Sequence, residues 1–222
     1  MTATLAVSSS TEHPAPRFAR TAQAAHLLSR VLRHMDQPTG SGGPSAELWY
    51  LEGLQLHPIV QAFGAALALE FDDEQLRRLP GGCGSPQIHH AWSLFSAAAI
   101  CYSAQLVLYD THTCAERDDP DGVGIPAQLS MQRVALEGMK TACEAVHAFA
   151  LRIAATIEER KANGGGGAAA VVSPFVAHCL YVAAKNYCWY VRETGRVELR
   201  QIVIDIVALL REIGATWAVA SE

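Results

Sequence analysis

The residues of this chain best suited to metal or redox chemistry are six cysteines and two short histidine motifs. No two cysteines lie within three residues of each other, so the Cys-x-x-Cys pair typical of structural zinc sites is missing. His89-His90 and His112-Thr-Cys114 each supply only two ligands. The sequence therefore predicts no metal and no cofactor. We expect reduced thiols that behave as small apolar side chains. The cysteines are Cys83, Cys101, Cys114, Cys143, Cys179 and Cys188.

Clustered carboxylates and glycines could support two further kinds of chemistry, and their surroundings argue against both. The run Asp118-Asp119-Pro120-Asp121 has enough carboxylates for magnesium, but its Pro and Gly neighbours predict a solvated turn. Asp72, Asp73 and Glu74 are interpreted as carboxylates at the start of a short helical turn over residues 72–79. The glycines at 164–167 lack the Lys-Ser/Thr of a phosphate-binding loop.

Nucleophilic catalysis has no local signature in this chain. No Gly-x-Ser-x-Gly elbow occurs, although a triad assembled from distant residues is left open. His147 and His178 lie within helical patterns, where core or surface histidines outnumber catalytic ones. The sequence therefore predicts no catalytic, cofactor-binding or metal-binding residue.

The composition predicts a protein with a large core. Of 222 residues, 50% are hydrophobic and 18% are charged, which is enough apolar material for one large domain. The net charge of −5 and the pI near 6.0 argue against a free-standing nucleic-acid binder, which normally has a basic face. Residues 1–16 lack the features of a secretory signal and are predicted to form a disordered leader.

Glycine and proline divide the chain into about six helical blocks, and strand signals are nearly absent. This pattern predicts an all-α fold, a single multi-helix bundle or array over residues 17–222. Flexible linkers are predicted near residues 37–45 and 163–172. Pro58 is expected to kink or split the second block near His57. The blocks are predicted at residues 17–35, 46–69, 91–109, 126–162, 174–193 and 196–222.

Apolar residues recur at helical spacing within these blocks and define the predicted core. Ser173 is predicted to cap the fifth helix, with Pro174 at its first position. That helix is apolar nearly all round, which predicts neighbours on both sides. The expected buried residues of the first block are Ala24, Leu27, Leu28, Val31 and Leu32. Those of the fourth are Leu136, Met139, Cys143, Val146, Phe149 or Ala150, Ile153 and Ile157. Those of the fifth are Val176, Leu180, Ala183, Tyr187 and Tyr190, with a second stripe of Phe175, Cys179, Val182 and Trp189.

Residues 91–109 carry no charge over almost the length that spans a bilayer. Three serines and Gln105 dilute their hydropathy, and the apolar residues form a helical stripe, so we expect a buried central helix. A membrane-anchored scaffold built on this segment is the weaker alternative.

The last helical block reaches Glu222 without a cap. This ending predicts a fragment or a shortened gene model, with a frayed natural terminus as the alternative.

Four segments together resemble the regulatory region of fungal zinc-cluster transcription factors. One is the Ser-Pro-Phe helix start followed by a Cys/Tyr/Trp-rich helix, at residues 173–193. It is followed by a leucine-rich helix that contains Leu209-Leu210-Arg211-Glu212-Ile213 and reaches Trp217. The segments at 17–34 and 131–149 are similar to earlier parts of the same region, in the family's order.

The resemblance implies a regulatory and protein-interaction region in the nucleus, acting on RNA polymerase II transcription, with a metabolic gene cluster as one expected target. In that family zinc belongs to a separate six-cysteine DNA-binding module, and this chain lacks such a module. Partners are expected to be proteins, or a second copy bound through apolar helix faces, with DNA bound only through the missing module. The alternative is a helical enzyme whose active residues are distant in sequence.

Overall fold

The computed structural model describes residues 17–37, 44–76, 88–113, 126–162 and 172–219. Six α-helices and one short 3-10 turn make up nearly all of these ranges, and no strand occurs within them, so the all-α fold is confirmed. The predicted leader and most of both predicted linkers lie outside the described residues. The elements are α1 (Arg17–Met35), α2 (Pro44–Leu76), α3 (Ile88–Thr113), α4 (Pro126–Ala162), α5 (Pro174–Thr194), the 3-10 turn (Val197–Leu199) and α6 (Arg200–Val219).

Helix α3 lies at the centre of the array and packs against α1, α2, α4 and α5. Between residues 94 and 106, every side chain except that of Ser96 is buried. Small side chains such as Ala97, Ala98 and Ala104 let neighbouring helices approach from several directions. The expectation of a buried central helix is therefore confirmed. Among the described residues, no helix combines the length and the hydropathy needed to cross a bilayer.

Helix α2 runs without a break through Pro58, so the predicted split near His57 is wrong. Proline removes one backbone donor, but the buried stripe of α2 continues across it at spacings of four and three residues. Just past the proline, the side-chain amide of Gln105 on α3 donates to the carbonyl oxygen of Val60 at 2.9 Å. Packing against α3 thus offsets the missing helical hydrogen bond. The buried stripe is Leu56, Val60, Phe63 and Leu67.

The carboxylates Asp72 and Asp73 lie near the end of α2, so their interpretation as the start of a separate turn is wrong. The helix continues to Leu76 because Phe71 is still buried in the core. A helix C-terminus disfavours negative charge. Arg152 of α4 supplies the opposite charge, since its Nη2 donates to Asp72 Oδ1 at 2.6 Å.

Helix α5 begins where the sequence predicts. Ser173 is extended, and its hydroxyl oxygen accepts a hydrogen bond from the N–H of Phe175 at 3.3 Å. At the other end Gly195 has φ of 68°, and its N–H donates to the carbonyl oxygen of Val191 at 2.9 Å. Only glycine takes this left-handed conformation without a steric penalty. The turn at Gly195 directs the chain into α6, which packs back on α5 and α4.

Five residues expected in buried stripes are exposed instead, and those predictions are wrong. The physical reason is that helices meet through smaller residues than we expected. Helix α4, for example, buries Ala135, Gly138 and Ala142, which permit a closer approach than leucine would. Helix α5 packs on α3, α4 and α6, but its remaining side faces solvent. The exposed residues are Leu32, Leu136, Phe175, Trp189 and Tyr190.

Candidate functional site

Two buried histidines meet where α1 and α3 end. His34 is the penultimate residue of α1, and His112 is the penultimate residue of α3. Both side chains are fully buried. His34 follows Leu27 and Val31 at spacings of four and three residues, so the helix turns its ring toward the core. The contact therefore joins the C-terminal ends of two helices that are distant in sequence.

The two imidazole rings point at each other head-on. Their Nε2 atoms are 3.0 Å apart, and their ring centroids are 5.3 Å apart. The difference of 2.3 Å is about one ring diameter, so the centroids and both nitrogens lie nearly on one line. A linear N–H···N hydrogen bond has this geometry. A shared metal ion would need both lone pairs to converge on a point off that line, at about 2 Å from each nitrogen.

Glu52 of α2 determines which ring donates. Its Oε2 lies 3.2 Å from His34 Nδ1, and a carboxylate can only accept, so we assign the Nδ1 proton to His34. In the neutral pair, His34 Nε2 then accepts the hydrogen bond and His112 Nε2 donates it. The remaining nitrogen, His112 Nδ1, is buried without a hydrogen-bond partner. The two hydrogen bonds therefore run in one direction: His112 donates to His34, and His34 donates to Glu52.

Trp49, near the start of α2, contacts both histidines of this hydrogen-bonded row. Its indole ring stacks on His34, with centroids 4.9 Å apart and planes inclined by 14°. Its Nε1 donates to the carbonyl oxygen of His34 at 2.8 Å. That carbonyl belongs to the last turn of α1, where no helical N–H is available as a donor. Trp49 also lies 4.3 Å from His112 by ring centroids, so it contacts both histidines.

The backbone of α2 packs against the histidine pair at Gly53. A Cβ at this position would lie 3.0 Å from His112 Nε2, 3.2 Å from Met131 Sδ and 3.4 Å from His34 Nε2. These distances are tighter than ordinary van der Waals contact, so a larger residue here would require the rings or Met131 to shift by a few tenths of an ångström. On this side of the pair, the backbone of α2 therefore fills the space beside the two Nε2 atoms.

Burial controls the ionisation of the pair. Desolvation by burial, with a smaller contribution from repulsion by His34, lowers the pKa of His112 to about 4. His112 is therefore neutral at physiological pH.

A second polar pair lies one turn earlier on α3. The hydroxyl of Tyr109 and His57 Nδ1 are joined by a hydrogen bond of 2.9 Å. Burial lowers the pKa of His57 and raises the pKa of Tyr109, so both groups are neutral. The Tyr109 ring is fully buried and lies directly over Gly138 of α4. This pair, like the first, joins two helices, although His57 is only partly buried.

An open apolar groove runs along the other side of α1. It encloses about 300 Å³ between α1 and α5, and Ile100 of α3 is part of its wall. Leu32 and Phe175, two of the side chains expected in the core, line it and are about half exposed. Arg33 and Asp36 add opposite charges to the lining. The full lining is Ala25, Leu28, Ser29, Leu32, Arg33, Asp36, Ile100 and Phe175.

Comparison of the chain with protein-family models, with curated proteins and with solved structures finds no match. The resemblance to fungal zinc-cluster regulators therefore stays a prediction. The function has to be inferred from the contacts of the chain itself.

The structure shows which of the candidate cysteines are buried and whether metal ligands are grouped. Four cysteines within the described ranges are free, with Cys101, Cys143 and Cys179 buried and Cys188 exposed. Burial raises the pKa of each buried thiol to about 12, which makes all three unreactive. In the described part of the chain, no three His, Cys, Asp or Glu side chains are grouped as a metal site requires.

Of the other candidate histidines, the structure describes the side chains of His147 and His178, and neither belongs to the buried pair. His147 Nε2 lies 3.6 Å from Asp205 Oδ2 between α4 and α6, and His178 is exposed. His89 and His90 belong to the first turn of α3, in a part where side chains are not described. The other candidate motifs, at 118–121 and 164–167, as well as Cys83 and Cys114, lie outside the described residues.

Proposed function

We propose that this chain is a non-catalytic regulatory and protein-interaction region of a fungal zinc-cluster-type transcription regulator, acting in the nucleus. The observation that carries the proposal is the open groove between α1 and α5, whose apolar lining includes half-exposed Leu32 and Phe175. Exposed apolar side chains grouped in a concave surface are typical of protein-binding sites. Zinc and DNA contacts would belong to a separate module.

A regulatory role fits the way in which α1 is held. Its C-terminal end is fastened through His34 to Trp49, His112 and Glu52. Within the part of the chain that the structure describes, α1 contacts only α2 and α3, and its outer face carries the groove residues. A partner in the groove would act on α1, and a shift of this helix would be transmitted to the core through the histidine contacts.

The alternative, a helical enzyme, has one observation in its favour: two polar pairs with shifted pKa values lie in the core. A catalytic centre also needs space for a substrate beside those groups. Gly53 and Gly138 pack closely against the two pairs, and a hydrogen bond within each pair already uses the atoms that face each other. The two pairs therefore fit a role in helix packing better than a role in catalysis.

A reporter assay tests the proposed function. The full chain is fused to a heterologous DNA-binding domain in a fungal host, and transcription from its target promoter is measured. Leu32→Glu places a charge in the groove at a half-exposed site, so we expect at least a fivefold change in reporter output. Leu136→Glu is the matched control, because Leu136 is similarly exposed on α4, away from the groove. Equal output from both variants and the parent fusion would contradict the proposal.

A further inference from the structure

The exposed side of α1 carries a protruding aromatic side chain, here called the knob, and an apolar recess. Phe18 is 85% exposed, the highest value among the large apolar side chains of the described residues. The recess is the groove beside Leu32, where Leu28, Ile100 and Phe175 form apolar walls. Phe18 and Leu32 are fourteen residues apart, which corresponds to about 21 Å along the helix axis.

Knob and recess lie on the same stripe of the helix. At 3.6 residues per turn, Phe18, Ala25 and Leu32 fall within about 40° of one another around the axis. The residues between them on this stripe are small. Ala22, Ala25 and Ser29 are all exposed, and they would allow another helix to approach closely. A surface with small residues at its centre and bulky residues at its two ends can pair with an identical surface.

The spacing specifies how such a pair would form. Phe18 and Leu32 lie seven residues before and after Ala25. A two-fold axis through Ala25 relates two antiparallel copies of α1 and brings Phe18 of each copy to Leu32 of the other. Each phenylalanine would then enter the groove of the opposite copy, and Ala25 would face its symmetry mate. Contacts of this reciprocal kind define an isologous dimer interface.

We propose that the occupant of the groove is Phe18 of a second copy of this chain, in an antiparallel α1–α1 dimer. The inference deepens the proposed function and rests on it only in taking the groove as a protein-binding surface. One helix pair with two inserted side chains buries less than a standard interface, so we expect a dissociation constant on the order of 10 µM.

Sedimentation equilibrium of the full chain tests the dimer. We expect the weight-average mass to rise from 23.8 kDa toward twice that value, reaching about 1.8 times the monomer mass at total concentrations about tenfold above the dissociation constant. Phe18→Asp should weaken association at least thirtyfold. Its side chain is almost free of contacts within the copy, so folding should not change. Leu151→Asp is the matched control, because Leu151 is 52% exposed on α4, which does not contact α1. A monomer at every concentration, or equal weakening by both substitutions, would overturn the proposal.

Cross-linking tests the predicted symmetry. In the antiparallel dimer, Ala25→Cys places two thiols on opposite sides of the axis, within the distance that a disulfide spans. We expect oxidation to convert this variant to a covalent dimer much faster than the parent chain, which has the exposed Cys188. Ala155→Cys, at an exposed position on α4, should behave like the parent chain. Equal rates for both introduced cysteines would overturn the antiparallel arrangement.

The two proposals can fail separately. If Leu32→Glu changes the reporter output but the chain stays monomeric, the groove binds a different protein and the dimer is wrong. If the dimer forms as described but the reporter does not respond, the dimer is correct and the regulatory role is wrong.

Discussion

Replacing Gly138 by alanine should destabilise the protein by roughly 3 kcal/mol or more, measured as the loss in free energy of unfolding by urea. A Cβ at this position would lie 2.5, 2.7 and 2.8 Å from three carbons of the Tyr109 ring. The ring is fully buried and its hydroxyl is bonded to His57, so it cannot move aside cheaply. The added methyl group would therefore force α4 away from α3.

Gly214 provides the control for helix propensity. It also lies inside a helix, but a Cβ there would meet nothing within 4 Å. Gly214→Ala should therefore stabilise the protein by about 0.5–1 kcal/mol, because alanine is the better helix former. If Gly138→Ala does not fold, the steric cause can be checked in a Tyr109→Leu background. There the same substitution should cost less than about 1 kcal/mol. An unchanged cost in that background would contradict the contact with Tyr109.

Lowering the pH from 7 to 4 should remove roughly 3 kcal/mol of stability through His112 alone. In the unfolded chain this histidine has its usual pKa of 6.5, whereas burial lowers its pKa in the folded chain to about 4. Between these values the unfolded state binds more protons than the folded state. The contribution is therefore fully present above pH 6.5, falls as the pH decreases, and levels off below pH 4. The lowered pKa of His57 adds to the loss in the same direction.

His112→Gln isolates this effect. Glutamine can donate an N–H to His34 but cannot take up a proton. We expect the variant to be less stable than the parent chain at pH 7, and to lose much less stability between pH 6.5 and 4. The measurement is the free energy of unfolding at several pH values for both proteins. Parallel curves would show that His112 titrates normally in the folded chain, contrary to the burial described above.

Sequence patterns predicted the helices well because glycine and proline mark where helices end. The bounds of α1 and α4 agree with the predicted blocks, and Ser173 caps α5 as expected. The errors come from tertiary packing. The buried stripe of α2 carries the helix through Pro58, and Phe71 extends it past the predicted end. Whether these side chains are covered depends on α3 and α4, which are distant in sequence and which the local pattern of α2 does not specify.

The candidate site was not predicted, and the reason is its distance in sequence. His34 and His112 are 78 residues apart, and His112 was considered only with its neighbour Cys114. One local signal existed: His34 continues the stripe of Leu27 and Val31, which places its ring on the buried face of α1. Its partner depends on how α1 and α3 pack. Helical periodicity specifies which face is buried, but not the residue that it meets.

The groove was missed for a related reason. Leu32 and Phe175 are apolar and lie on stripes that also contain core residues, so the pattern alone assigned them to the core. Both α1 and α5 pack against α3, but they do not contact each other, which leaves the space between them open. A hydrophobic stripe therefore predicts burial only where another helix is present to cover it.

The head-on contact of the two imidazoles also affects how a hydrogen atom leaves the protein interior. The ring N–H of His112 points at His34, and His34 in turn contacts Glu52, whose side chain is 41% exposed. By this route the hydrogen has to pass from His112 to His34 and then to Glu52 before it reaches water. That ring hydrogen should exchange slowly with deuterium and give a persistent downfield proton resonance, unlike the hydrogens of the exposed His178.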